Sequence, residues 1–369
     1  MYIMSLPLMG QLFLSFRVCL KNKMKLVATA LCFFSGWVVG LTAETSTQGV
    51  MQGFEQEIQG IFDRTKDSVV KIKTIVPVTD TRKGNLIAEG LSIGTGFFVD
   101  HRGYIFTASS VLRGSTSAIV YWRGKTYEAQ SVGQDPRTNL ALLKINAQTP
   151  SLPFGDPDAL RVGSLTLAVG YPMDAPISAE YGFVSNLDAV QMAHLLPIAP
   201  IRCSIRAQPG QSGSPILNSK GEVVGMLVYT MMDGSSSFAL PITAAQKIQH
   251  DLLKYHQSRP GWMGLTIEVT NNLPSSDAQI YIRDVYQGCP GHVAGISSGD
   301  VLLKIGDKSI RTAADVMKAT FYLSVGETVN FTIEREGEMK VVPVKVVPRP
   351  TDQELLALKP ISLPLTPAR

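Results

Sequence analysis

The sequence predicts a mainly β protein with a smaller α+β domain behind it. Three observations carry this. Between residues 68 and 232, short apolar or alternating runs recur at regular spacing with no helical periodicity between them. Turn-forming clusters separate the runs, as at Asp100-His101-Arg102-Gly103, Arg123-Gly124 and Asn218-Ser219-Lys220-Gly221. After Ser258-Arg259-Pro260-Gly261 the strands resume around one amphipathic helix. Many short strands without intervening helices mean a sandwich or barrels.

The first forty residues stand apart. Lys21-Asn22-Lys23-Met24-Lys25 is a basic patch, Leu26 to Leu41 carries no charge, and Leu41-Thr42-Ala43 ends on a small residue. This is the order of a secretory leader, and the apolar run is shorter than the roughly 20 residues a spanning helix needs. Residues 1–43 are read as leader and signal peptide, with Met24 as the start and cleavage after Ala43 preferred to an uncleaved anchor. The exported product is then periplasmic or secreted. With 369 residues and 45% hydrophobic content the chain can bury two or three domain cores. A formal charge of +4 without a Lys/Arg cluster gives no reason to expect nucleic acid. Outside the leader only Cys203 and Cys289 remain; they fall in different domains and are expected as free or buried thiols. No Cys/His spacing suggests a metal, and no pattern calls for a cofactor.

The segment 44–67 carries Met51, Phe54, Ile58, Ile61 and Phe62 on one helical face. That face either packs on its own domain or meets another protomer. The main domain, 68–257, opens with Val69 to Lys73. Gly96 to Val99 and Tyr104 to Thr107 form a hairpin, as do Ala118 to Trp122 and Lys125 to Val132. Leu140 to Ile145, Leu165 to Val169 and Val223 to Val228 are further strands, and Ala244 to His256 is a closing helix. In the second domain, 261–348, Thr312 to Asp315 begins a helix as a capping box, with Val316, Ala319, Thr320 and Leu323 on one face. Thr328 to Arg335 and Met339 to Val347 read as a hairpin. Residues 349–369 are Pro-rich and expected to be loosely ordered.

The candidate chemistry lies in Ala207-Gln208-Pro209-Gly210-Gln211-Ser212-Gly213-Ser214-Pro215. A serine in a Gly-flanked turn can be a nucleophile, and successive N–H groups of such a turn can cradle an anion. An ordinary Gly/Pro/Ser loop has the same composition. Phrases elsewhere in the chain favour the first, though a turn that merely prefers a small polar residue at Ser212 stays open. Gly94-Thr95-Gly96-Phe97, Asp135-Pro136-Arg137-Thr138, Leu140-Ala141-Leu142-Leu143-Lys144-Ile145, Ala168-Val169-Gly170-Tyr171-Pro172, Gly182-Phe183-Val184-Ser185, Gly210 to Pro215 and Gly261-Trp262-Met263-Gly264-Leu265 occur in this order. Together they resemble the HtrA/Deg family of exported trypsin-like proteases with a C-terminal PDZ domain. The resemblance covers about residues 50–348 and implies a trypsin-like double six-stranded β-barrel followed by an α+β PDZ domain, with homo-oligomers, by family habit trimers.

The resemblance also implies a His-Asp-Ser triad, and here the sequence departs from it. Where the family reads T-N-x-H-V this chain has Thr107-Ala108-Ser109-Ser110-Val111, so Ser110 holds the His position. Asn139 holds the Asp position, and Ser212 alone stands where the nucleophile belongs. A hydroxyl needs a neighbouring base to become a nucleophile. Ser110 is no base at neutral pH, and Asn139 cannot stabilise an imidazolium. In known triads, replacing the Asp by Asn alone lowers turnover by about 10⁴. His101, His194, His250, His256 and His292 are the remaining imidazoles, of which only His194 lies near the turn in sequence; Lys144 is the other alternative base considered. The resemblance implies that the backbone N–H groups of Gly210 and Ser212 would still form an oxyanion hole.

In the PDZ-like segment, Trp262, Met263, Gly264 and Leu265 match the carboxylate-binding loop, and a peptide would add beside Thr266 to Val269, facing Val316 as groove wall. Val316 fits a plain core position as well. The sequence thus predicts a catalytically inactive homologue that binds polypeptide segments or protein C-termini, as an adaptor, regulator or holdase. The alternatives are an endopeptidase with an unconventional base for Ser212, and a scaffold that only presents the PDZ module.

Overall fold

A computed structural model describes residues 49–79, 86–188, 195–231, 233–270 and 279–362. The expected leader, His194 and the last seven residues lie outside them. The chain divides into Met1–Glu57 and Ile58–Arg369. In the first unit only 49–57 is described; it is helical, with Val50, Met51 and Phe54 exposed. The helix (α1) runs over 49–65, and within the second unit Ile61 is fully buried with Ile58 and Phe62 against the same core. Of the two readings of that apolar face, packing on its own domain describes the 58–62 part.

Six strands close the first barrel: β1 (Val69–Thr79), β2 (Leu86–Phe98), β3 (Tyr104–Ala108), β4 (Ser117–Trp122), β5 (Lys125–Asp135) and β6 (Leu140–Lys144), in the order β1-β2-β3-β6-β5-β4. A single helical turn, α2 (Ser109–Leu112), follows β3. The second barrel contains β7 (Leu165–Gly170), β8 (Ser178–Asn186), β9 (Ile201–Cys203), β10 (Pro215–Leu217), β11 (Val223–Thr230) and β12 (Ser237–Pro241), in the order β10-β11-β12-β9-β8-β7. Helix α3 (Ile242–Tyr255) closes this part.

The continuous apolar strands have a physical reason. Successive residues of a strand face opposite sides, and here both sides are covered. Along β6, Ala141 and Leu143 join the interior of the first barrel, with Ile72, Phe98 and Val120. Leu140 and Leu142 join the seam beneath α3, with Leu167, Val169, Val228, Ile248 and Leu252. Along β7, Ala168 points into the second barrel while Leu167 and Val169 face the seam. Burying one such Leu stabilises by about 1.5–3 kcal/mol, so the seam is a core in its own right. It holds the Ser212 turn of one barrel against the strand ends of the other.

The C-terminal domain is a sheet of β14 (Leu265–Thr270), β15 (Gln279–Tyr286), β16 (Val301–Ile305), β18 (Thr328–Arg335) and β19 (Glu338–Lys345), with β17 (Lys308–Ser309) on β16. The two-residue strands β13 (Gly261–Trp262) and β20 (Val347–Pro348) pair separately. Helices α4 (Pro290–Val293) and α5 (Ala313–Phe321) complete it. The expected capping box at α5 is present in both directions, Thr312 with the Asp315 N–H and Asp315 with the Thr312 N–H. The expectation of a loose tail is corrected for 349–362. Helix α6 (Asp352–Ala357) has its own capping box, Thr351 with Glu354, and β21 (Pro360–Ser362) pairs with β15. The proline content masked this Thr-x-x-Glu signal. Capping by Thr351 starts the helix despite the nearby prolines, because these flank the helix rather than interrupt it.

Candidate functional site

The Ser212 turn is shaped by two left-handed glycines, Gly210 (φ 95°) and Gly213 (φ 88°). Side chains are excluded at both. A Cβ on Gly210 would lie 2.4 Å from the Tyr171 carbonyl oxygen, and one on Gly213 2.2 Å from that of Thr95. The rest of the turn is tied down. The Gln211 N–H donates to Gln208 O (3.1 Å), Gly213 N–H to Leu227 O (2.8 Å) and Ser214 N–H to Gln211 O (3.0 Å). Buried Gln211 accepts the Gln208 N–H on Oε1 at 2.7 Å. Pro209 has no N–H. The N–H groups of Gly210 and Ser212, which flank Gln211, have no partner among the described residues.

Thr95 on β2 locks this turn to the first barrel. Its N–H donates to Ser212 O (2.9 Å), and its hydroxyl donates to Gly210 O (2.8 Å) while accepting the Tyr171 N–H (3.0 Å). The Thr107 hydroxyl donates to Thr95 O at 2.7 Å.

Ser110 and Asn139 meet on the other side of the seam. Asn139 is buried with φ 57°, a left-handed conformation that Asn tolerates well. Its Oδ1 accepts the Ser110 N–H (2.8 Å) and the Ser109 hydroxyl (3.0 Å), and its Nδ2 donates to Val228 O at 2.8 Å. Val228 directly follows Leu227, the acceptor of the Gly213 N–H, so Asn139 and the Ser212 turn share one stretch of β11. The Ser110 side chain is exposed.

The Ser212 hydroxyl, half-buried, makes no hydrogen bond to any side chain among the described residues. The other bases considered are placed elsewhere. His101 Nδ1 is 2.8 Å from Thr149 O in the turn before β3. Lys144 Nζ donates to the carbonyls of Arg102 and Ile145, at the opposite end of β3 from Ser110. His250 lies in α3, His256 caps it, and His292 lies in α4.

In the C-terminal domain, Met263 O accepts the Gly291 N–H (2.8 Å) and Gly264 O the Tyr286 N–H (3.0 Å), while the N–H groups of Met263 and Gly264 have no partner among the described residues. Gly264 has φ 74°, and a Cβ there would lie 2.3 Å from Cys289 Cβ. The Trp262 ring packs on Tyr286, centroids 6.0 Å apart. Leu265 opens β14, the edge strand of the sheet. Val316 is 9% exposed and packs in the domain core with Met263, Ile310 and Phe331. Both thiols are free and buried, and burial pushes the Cys203 pKa up to about 11. No group of residues able to hold a metal occurs among the described residues.

Sequence reasoning missed Ser109, Thr95 and the segment Tyr171–Asp174 against the turn. Their link to Ser212 spans about 40 to 120 positions of chain, and no local spacing signals it.

These two closed barrels with a serine turn at their seam, followed by a sheet with an open edge, define a trypsin-like peptidase domain joined to a PDZ domain. Residues 94–226 match the trypsin-like peptidase domain family and residues 261–346 the PDZ domain family. The chain is a homologue of the HtrA/DegP proteins. It is 31% identical over 280 residues to the Marinomonas sp. protein named "Probable periplasmic serine endoprotease DegP-like", covering 72% of this chain and 59% of that one. A Pseudomonas fulva protein of the same name is 32% identical over 277 residues, covering 72% and 57%. The chain therefore spans under two thirds of the length of these relatives. Among solved structures, HtrA-type protease AlgW with a tripeptide superposes with TM-score 0.67 at 25% identity, over 80% of this chain and 98% of that one. No helix among the described residues is long and apolar enough to cross a membrane.

Proposed function

We propose that this chain is a non-proteolytic HtrA-like peptide binder of the bacterial periplasm. One observation carries the reading: the Ser212 hydroxyl has no imidazole, amine or carboxylate partner among the described residues, while Ser110 and Asn139 stand where a base and its acid would. Without a proton acceptor the hydroxyl remains a weak nucleophile. The cleft keeps a pair of donors, because the free N–H groups of Gly210 and Ser212 can hold a peptide carbonyl. The free N–H groups of Met263 and Gly264 beside the β14 edge suit a C-terminal carboxylate and an added strand. Both sites take polypeptide, which fits an adaptor, regulator or holdase. The relatives' names support the periplasm.

The intact cradle favours one second reading, a working endopeptidase with an unconventional base; His194 is the imidazole it would call on. Casein digestion by purified wild type and Ser212→Ala separates the two. The proposal expects equal, background rates. Cleavage by wild type that disappears in Ser212→Ala overturns it.

A further inference from the structure

The segment between β7 and β8 carries two consecutive left-handed residues that are not glycine, Met173 (φ 50°) and Asp174 (φ 62°). Such a conformation persists only where surrounding contacts over-determine it, and it concentrates at functional sites. Here the contacts are ionic and cross the seam. Lys71 Nζ on β1 donates to the Asp174 carboxylate (2.8 Å) and to its carbonyl (2.7 Å), and Lys73 Nζ donates to the other carboxylate oxygen at 2.6 Å. Both lysine side chains are largely buried, 17% and 22% exposed, against 36% for Asp174. Each ammonium also lies over an aromatic ring, Lys71 at 5.2 Å from the Tyr171 centroid and Lys73 at 5.4 Å from that of Tyr121. The lysines' hold keeps the Asp174 carboxyl below the usual range.

The inner side of the same segment touches the Ser212 turn. Met173 N–H donates to Pro209 O at 2.7 Å. Tyr171 O fills the space a Cβ on Gly210 would take, and Tyr171 N–H meets the Thr95 hydroxyl that holds Gly210 O. We propose that Asp174, gripped by Lys71 and Lys73, is an electrostatic strut across the barrel seam that positions the Pro209–Gly210 turn. The direction of the Gly210 N–H thus depends on an ion pair on the far side of segment 171–174. Asp174 acts through the backbone of Met173 and is a positioning residue.

Amide exchange followed by NMR tests this without any ligand, so its outcome is independent of the cradle's proposed role. In Asp174→Asn, exchange at Met173 and Gln211 is expected to rise about tenfold, while the β11 amides stay within about twofold. Lys71→Met with Lys73→Met should reproduce the pattern, and Asp174→Glu should restore part of the protection. Unchanged protection at Met173 and Gln211 overturns the strut, as does uniform acceleration across both barrels, which marks a general structural tie. Should Asp174→Asn fail to fold, Lys73→Met alone gives the same reading at smaller amplitude. Altered exchange with unchanged peptide affinity of the cleft upholds the strut and counts against the cradle.

Discussion

The two barrels contribute opposite halves to the seam. On the first barrel's side every polar atom of the key side chain is used: Asn139 accepts twice on Oδ1 and donates on Nδ2, tying the strand ends of one barrel to Val228 of the other. On the second barrel's side the turn backbone is held, yet the Ser212 hydroxyl, the N–H groups of Gly210 and Ser212, and the buried Gln211 Nε2 and Ser214 hydroxyl have no partner among the described residues. One half is a fully bonded joint, and the other keeps unpaired donors. An amide suits the joint because it has both a donor and an acceptor; a carboxylate could make only the acceptor half.

The contrast is broken most forcefully by rebuilding the first half. Ser110→His with Asn139→Asp should raise casein hydrolysis by about 10² or more over wild type, the usual scale of general-base assistance. An unchanged rate means the cleft no longer fits a scissile bond. Attacking the Ser212 turn costs stability. Gly213→Ala must place a Cβ 2.2 Å from Thr95 O in a left-handed conformation, and a loss of about 2–4 kcal/mol is expected in urea unfolding. A loss below about 0.5 kcal/mol would show the turn to be plastic. Asn139→Asp alone sets a carboxylate oxygen against Val228 O, and should destabilise by about 1–3 kcal/mol. Equal stability would mean that the amide is not a joint.

The smallest effect lies in the second barrel's interior. The folded chain holds the Cys203 thiol protonated to about pH 11, whereas an unfolded thiol releases its proton near about 8.5. Stability linked to this group is therefore complete below the unfolded value and declines as pH rises above it. Iodoacetamide at pH 8 should leave Cys203 unmodified in the native protein and alkylate it in urea, as read by mass spectrometry. Native labelling would mean that the barrel opens locally.

Much of the fold was legible because its strands carry their own signal. β3, β6, β7 and β11 are apolar on both faces, since the barrel interior and the seam each cover one side. Strands β8, β9 and β12 were not read as strands. β8 exposes Tyr181 and Phe183 to solvent, β9 has three residues, and β12 has five. The turn around Ser212 and the capping box at Thr312 are local and could be read directly. The roles of Thr95, Ser109 and Asp174 depend on contacts between residues about 30 to 115 positions apart, which local pattern does not encode.

A fluorophosphonate probe reports directly on whether the Ser212 hydroxyl is unassisted, because phosphonylation needs an activated serine. Incubated with excess probe at neutral pH, the protein should remain unlabelled, at the level of Ser212→Ala, in intact-mass spectra. Stoichiometric labelling mapped to Ser212 would contradict an unassisted hydroxyl.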